Sequence, residues 1–237
     1  MDGSVTLIIP AYNQNEKLKR AVEISIKILT SITSDYELII AEDGSCDGTY
    51  EIAANLRDKN SKISLMHSRE RCGKGLALTK AIKVARGDVI GFIDADLATD
   101  MTFLPSLIDA IRIEGYDISI GSRLQSNSKS ERLMKRSLAS KTYNSMVRLL
   151  LGSKIKDHQC GFKAFNRCSI LSLLDKIKDE RWFWDTEMLV RAQHGGFKIK
   201  EVPVNWKEPA STSFDLIKDG CGMGLKILKL RWDLTQD

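Results

Sequence analysis

Val89-Ile90-Gly91-Phe92-Ile93-Asp94-Ala95-Asp96-Leu97 is the stretch on which the fold turns. A short β-branched apolar run, suited to a strand buried on both faces, breaks at once into two carboxylates spaced i, i+2. Similar runs occupy residues 5–10, 36–42, 63–67 and 118–121, each bounded by turn residues. Between them Leu18, Ala21, Val22, Ile28 and Leu29 fall at helical spacing, as do Leu76, Ala77, Ala81, Val84 and Ala85. Strand–helix alternation of this kind predicts an α/β fold with a mostly parallel central sheet flanked by helices. Ligands are then expected at the carboxyl edge of the strands, where the Asp94/Asp96 pair falls.

Beyond residue 122 the pattern changes. Residues 131–151 read as one long helix ending in Val147, Leu149, Leu150 and Leu151, followed by a polar turn at His158-Gln159-Cys160-Gly161. A strand over 162–165, a helix around 171–174, a helix over 185–193 and a strand over 198–206 follow. The tail, 215–232, reads as a helix with Leu225, Leu228 and Trp232 at i, i+3, i+7 and Lys226, Lys229 and Arg231 between them. Such a helix suits either ordinary packing or a membrane surface. The expected organisation is one domain over 1–237. It comprises a first half (1–122), a second half (123–214) and a C-terminal amphipathic helix (215–237).

The 237 residues carry 36 Lys and Arg against 31 Asp and Glu, a net charge of +5, and 43% are hydrophobic. These values exclude a disordered or collagen-like chain, and no apolar run approaches the roughly 18–20 residues needed to span a bilayer. The start, Met1-Asp2-Gly3-Ser4, carries no basic leader, and five cysteines form no CxxC pair. Both point to reducing cytoplasm rather than a disulfide framework. Residues 123–156 hold nine basic side chains and one acid, a local balance of +8 that leaves the rest at −3. That segment is either a solvated helix face or a surface for a polyanion or an anionic membrane. A nucleic-acid-binding module would use it, but would leave the acidic strand ends without a purpose.

Two adjacent carboxylates repel and are costly to desolvate, and a hard divalent cation, Mg2+ or Mn2+, relieves both problems. The bland alternative is that Asp94 and Asp96 cap a helix near Asp100. Asp43-Gly44-Ser45 fits a turn and helix cap. Gly73-Lys74-Gly75 could bring backbone N–H groups and a lysine to phosphate, although neither a P-loop nor a GxGxxG spacing is present. His67, His158 and His194 lack ligand spacing and read as surface or hydrogen-bonded residues, Cys160 and Cys168 as small packed ones. Trp182 and Trp184 read as core or rim, and Ser122 lacks a GxSxG context.

Taken together, Pro10-Ala11-Tyr12-Asn13, Glu42-Asp43-Gly44-Ser45-x-Asp47-Gly48-Thr49, Gly73-Lys74-Gly75, Asp94-Ala95-Asp96, Gly121-Ser122-Arg123 and Gln159-Cys160-Gly161-Phe162-Lys163 resemble glycosyltransferase family two. The closer resemblance, over residues 4–208, is to its dolichyl- and polyprenyl-phosphate sugar synthases. It implies a GT-A fold, a nucleotide-sugar donor, Mg2+ or Mn2+, and inverting transfer of a hexose to a lipid phosphate. A sugar hydroxyl in a polysaccharide or glycan is the alternative acceptor. On this resemblance Pro10, Tyr12, Asn13, Asp43, Lys74, Asp94, Ala95 and Asp96 bind the donor, and Asp94 and Asp96 the metal. Arg123, with Arg132 and Arg136, meets the acceptor phosphate, and Asp96, Arg123, Asp185 and Glu187 form the catalytic set. Gln14, Glu42 and Ala98 depart from the usual pattern, and 94–99 with 157–163 look closer to glucosyl-type enzymes, favouring a UDP-sugar over GDP-mannose. The transmembrane helices of many relatives do not appear in this sequence, so any attachment to the cytoplasmic membrane face is expected to be peripheral.

Overall fold

The computed structural model describes residues 3–125, 127–128, 130–131, 134–207 and 218–236, with side chains for all of these except 130–131, 134–136 and 218–221. In chain order the elements are β1 (Val5–Ala11), α1 (Asn15–Ile32), β2 (Tyr36–Asp43), α2 (Thr49–Lys59), β3 (Ile63–Ser68), α3 (Lys74–Val84) and β4 (Val89–Ile93). A 3-10 turn at Met101–Phe103 leads into α4 (Leu104–Arg112), then β5 (Ile118–Ser122), β6 (Ser130–Glu131), α5 (Met134–Leu151) and β7 (Phe162–Asn166). α6 (Arg167–Leu174), α7 (Trp184–His194), β8 (Ile199–Pro203), β9 (Trp206–Lys207) and α8 (Lys218–Asp233) complete the described chain.

Seven strands form one sheet in the order β3-β2-β1-β4-β7-β5-β8. All run parallel except β7, which pairs antiparallel with both β4 and β5. Alternation along the strands separates two cores. Val5, Leu7, Ile9 and Ala11 of β1 face the layer of α1, α2 and α4, with Leu18, Ala21, Val22, Leu104 and Leu107. Ile8, Ile39, Ile90 and Phe92 face α3, α6 and α7, with Leu78, Ile82, Leu173, Trp184 and Met188. A third cluster joins α5, α7 and α8 through Val147, Leu151, Val190, Met223, Ile227 and Leu230. Burying such aliphatic groups stabilises each element by roughly 1.5–3 kcal/mol per side chain.

Several expectations are corrected. The helix over 131–151 begins at Met134, because Ser130 and Glu131 instead pair with Trp206 and Lys207 in a second, two-stranded sheet. The strand over 198–206 is correspondingly divided into β8 and β9. β3 lies at the sheet edge, so of its residues only Ile63 is buried. On α3, Val84 is exposed, and Leu78 and Ile82 take the core positions. Cys168 is exposed rather than packed, whereas Cys160 is fully buried. On α8, Met223, Ile227 and Leu230 are buried while Leu225, Leu228 and Trp232 are 73%, 54% and 69% exposed, so the i, i+3, i+7 stripe faces away from the core. Residues 215–217 lie outside the described chain.

Candidate active site

A cavity of about 970 Å3 opens at the carboxyl edge of the sheet. Its floor is the end of β4. Beyond Ile93 the chain turns sharply, with Leu97 N–H donating to the Asp94 carbonyl at 3.2 Å and Leu97 held at φ +51. A left-handed conformation is unfavourable for leucine, so strain is concentrated beside the acidic pair. The turn brings both Asp94 and Asp96, with Ala95 between them, to the cavity. Asp96 accepts the Ala98 N–H at 3.0 Å, and Asp100 instead caps the 3-10 turn by accepting the Thr102 N–H. Burial and the neighbouring charge of Asp94 hold the Asp96 carboxyl above the ordinary range.

The opposing charge comes from Lys74, whose ammonium is 2.6 Å from Asp94 Oδ1. Burial opposes that charge, but Asp94, Asp185 and Asp96 together keep it above its usual range. Gly73 positions the lysine at the start of α3. Its φ is +111, and a Cβ there would meet the Glu180 carbonyl oxygen at 2.5 Å. The backbone N–H groups of Cys72 and Gly73 donate to Asp43 at 2.7 and 2.8 Å. They are therefore occupied, and of the Gly73-Lys74-Gly75 features expected to reach phosphate, the lysine side chain is the one placed to do so.

Pro10, Tyr12, Asn13 and Asp43 line the same cavity. Asn13, at φ +51, accepts the Cys46 N–H on its side chain while its own N–H donates to Ser45 Oγ, tying the end of β1 to the loop after β2. Arg71 stacks over the Tyr12 ring at 3.9 Å. Arg71 and Lys17 both line the cavity and are not singled out by the sequence, where each is one of several neighbouring basic residues outside the motifs.

Arg123 lines the cavity as well, with its guanidinium bonded twice to Asp157, Nε and Nη2 each at 2.7 Å. Asp185 also lines the cavity and accepts from Lys163 at 2.5 Å. Lys163 is fully buried on β7 and also donates to the Cys160 carbonyl at 2.6 Å, a positioning role that the motif gave no hint of. Glu187 does not line the cavity. Its carboxylate accepts the N–H groups of Lys178 and Asp179 and pairs with Arg191, holding the loop before α7, so the structure does not bring it together with the other members of the expected catalytic set. Arg132 lies outside the described residues, and Arg136 belongs to α5 without a described side chain. Leu138, Tyr143 and Met146 of α5, Met223 of α8, Trp182 and Trp206 add an apolar lining to the same cavity. Trp184, by contrast, is core.

The turn that delivers Gln159 and Gly161 to the cavity hangs on His158. Its Nδ1–H donates to Asn144 Oδ1 at 2.7 Å and its Nε2 accepts from Ser153 Oγ at 2.8 Å. Burial pushes its pKa down to about 3. The unfolded chain then binds a proton below the ordinary histidine value of about 6.5 that the folded chain does not, so stability present above that pH is lost as pH falls toward 3. Melting temperature is expected to drop over this window more steeply for wild type than for His158→Gln. Superimposable pH profiles would contradict that.

An α/β sheet with one reversed central strand, and an acid pair at the end of the fourth strand, define the GT-A glycosyltransferase architecture. The glycosyl transferase family 2 model matches residues 6–174, and the chain belongs to that family. It is 44% identical over 233 residues to glycosyltransferase AglD of Haloferax volcanii, covering 98% of this chain and 37% of that protein. Identity to a dolichyl-phosphate beta-glucosyltransferase of Dictyostelium discoideum is 32% over 241 residues, covering 96% of this chain and 74% of the relative. The chain thus spans little more than a third of the first of these. The fold matches glucosyl-3-phosphoglycerate synthase of Mycobacterium tuberculosis, solved with Mn2+, UDP-glucose and phosphoglyceric acid. The TM-score is 0.71 and the identity 21%, over 98% of this chain and 79% of that one.

Proposed function

We propose that the chain transfers a hexose, with inversion, from a nucleotide-sugar of the UDP-glucose type to dolichyl or polyprenyl phosphate. The observation that carries this reading is that one cavity is lined both by a charged set, Asp94, Asp96, Lys74 and Arg71, and by an apolar set, Leu138, Tyr143, Met146, Trp182 and Trp206, with Arg123 among them. A diphosphate suits the first, and a phosphate carrying a hydrocarbon chain suits the second. The names of the relatives from Dictyostelium and other eukaryotes support the same acceptor.

The donor set fits a divalent cation. Among the described residues no group of three or more His, Cys, Asp or Glu could hold a metal, and Asp94 and Asp96 bring two hard carboxylates to the cavity. Mg2+ and Mn2+ are commonly bound in this way, with water and substrate phosphate completing the shell. When bound, such an ion supplies charge neutralisation to the departing nucleoside diphosphate. An oxygen of the lipid phosphate attacks the anomeric carbon, the bond from that carbon to the diphosphate oxygen breaks, and the electron pair leaves with the nucleoside diphosphate. Arg123 positions the attacking anion, which is already ionised and needs no strong base. Asp185, held by Lys163, would serve as base if the acceptor were instead a sugar hydroxyl, and its place in the cavity keeps that second reading open to test.

No described helix is long and apolar enough to cross a membrane. The exposed stripe of Leu225, Leu228 and Trp232 on α8, with Lys229 and Arg231 beside it, supports peripheral attachment to an anionic bilayer face.

The deciding experiment is a thermal-shift panel of UDP- and GDP-sugars with and without Mn2+, followed by transfer to dolichyl phosphate or to a free sugar. UDP-glucose with Mn2+ at a hundred times its Kd stabilises by about 2.7 kcal/mol, or roughly 5–10 °C. Transfer is expected with the lipid phosphate. Absence of stabilisation by every nucleotide-sugar would sink the donor assignment, and transfer to the free sugar alone would sink the acceptor assignment.

A further inference from the structure

A cation of the chain itself is bonded to the acidic pair at Asp94 in this structure, and Lys17 adds a second positive charge near Asp96. Lys74 Nζ lies 2.6 Å from Asp94 Oδ1. Its side chain is 14% exposed, and the ammonium sits over the faces of Phe92 and Trp182, 5.3 and 5.7 Å from their centroids. Asp96 and Asp185 contribute further attraction from the cavity wall. The ammonium therefore satisfies a carboxylate that a divalent cation would need. Bringing both cations to Asp94 at once would set like charges against each other inside a partly desolvated pocket.

The geometry points to Lys74 as an exchangeable counter-cation, which blocks divalent metal at Asp94/Asp96 until a diphosphate draws its ammonium away. The inference rests on the donor reading above, and deepens it by making metal and nucleotide bind as an interdependent pair. A diphosphate placed beside the acidic pair gives Lys74 a multiply charged partner, while the vacated Asp94 oxygen becomes available to the metal. Each ligand thereby raises the affinity of the other, beyond any direct metal–phosphate contact, by reciprocal linkage. Gly73 and Gly75 hold the base of the lysine closely against Glu180 and Trp184, so the exchange falls to its side-chain torsions rather than to the backbone.

The test is Mn2+ binding measured by electron paramagnetic resonance or calorimetry, with and without UDP, on wild type, Lys74→Met and Lys74→Arg. Without nucleotide, Lys74→Met is expected to bind Mn2+ at least about tenfold more tightly than wild type, and Lys74→Arg within about twofold of it. The enhancement of Mn2+ affinity by UDP should shrink in Lys74→Met by a similar factor. Should the methionine variant fail to fold, Lys74→Gln removes the charge while keeping a donor to Asp94 and carries the same expectation. Nucleotide-free Mn2+ affinity that is unchanged or weaker in the neutral variants, with normal UDP binding to wild type, overturns this inference alone. Failure of wild type to bind UDP at any Mn2+ concentration overturns the donor reading, and the exchange with it.

Discussion

Alanine at position 161 is expected to lower kcat/KM for the proposed transfer by about a hundredfold or more, because a misplacement near 1 Å at a reacting centre costs that much. A Cβ on Gly161 would lie 1.8 Å from Asp94 Oδ2 and 2.3 Å from its Cγ. The two backbones cannot separate easily, since Asp94 N–H donates to the Gly161 carbonyl at 3.0 Å where β4 and β7 meet. The movable partner is the carboxylate, which would rotate away from the cavity and from Lys74. The fold should survive, as the displaced group is a side chain at the sheet edge. Steady-state kinetics together with a melting curve separate these effects. A Gly161→Ala enzyme with near wild-type kcat/KM would show that the position of Asp94 in this structure has no bearing on the chemistry.

That contact also marks where the sequence stops being informative. The strands 5–10, 36–42, 89–94 and 118–121 are legible because a short β-branched apolar run closed by turn residues has few other homes than a buried parallel sheet. The reversal of β7 is not, since Phe162–Asn166 reads the same in either direction and only its neighbours, β4 and β5, fix its sense. The division of 198–206 depends on a long-range pairing with Ser130 and Glu131 that no local pattern encodes. Most of the candidate site is found in one cavity because its residues sit at strand ends. Glu187 is the instructive exception. It stands two residues after Asp185 on α7, and i, i+2 positions of a helix do not share a face, so helical geometry alone separates them. Asp94 and Asp96 escape the same objection because the chain there is not helical: β4 ends at Ile93 and the backbone turns, with Leu97 at φ +51. Lys163 was invisible for a different reason. A lysine in an apolar strand ordinarily projects to solvent, and here its buried partners Asp185 and the Cys160 carbonyl are supplied by distant segments.

Arg123 is where structural and chemical roles are most entangled. Its side chain is 10% exposed and that of Asp157 not at all, and Asp157 also accepts the Arg123 backbone N–H at 2.9 Å. Burial opposes the charge on the guanidinium, but Asp157 outweighs it and keeps the group protonated beyond its ordinary range. Arg123→Ala therefore strands a buried carboxylate, and is expected to cost about 3–5 kcal/mol, lowering the melting temperature by roughly 10 °C. Lost activity in that variant would say little about the acceptor. Pairing Arg123→Met with Asp157→Asn removes both charges while the amide oxygen introduced at position 157 can still accept the backbone N–H, so most of the lost stability should return. If Arg123 holds the acceptor phosphate, this stable double variant still loses transfer to dolichyl phosphate by about a hundredfold or more, as charge positioning at the attacking anion is gone. UDP binding in Mn2+ should stay close to wild type if Arg123 serves the acceptor as proposed, since its side-chain bonds go to Asp157 rather than to Asp94 or Asp96. A double variant that regains both stability and lipid transfer would reduce Arg123 to a structural ion pair, and would move recognition of the acceptor phosphate to another cation of the 123–156 segment.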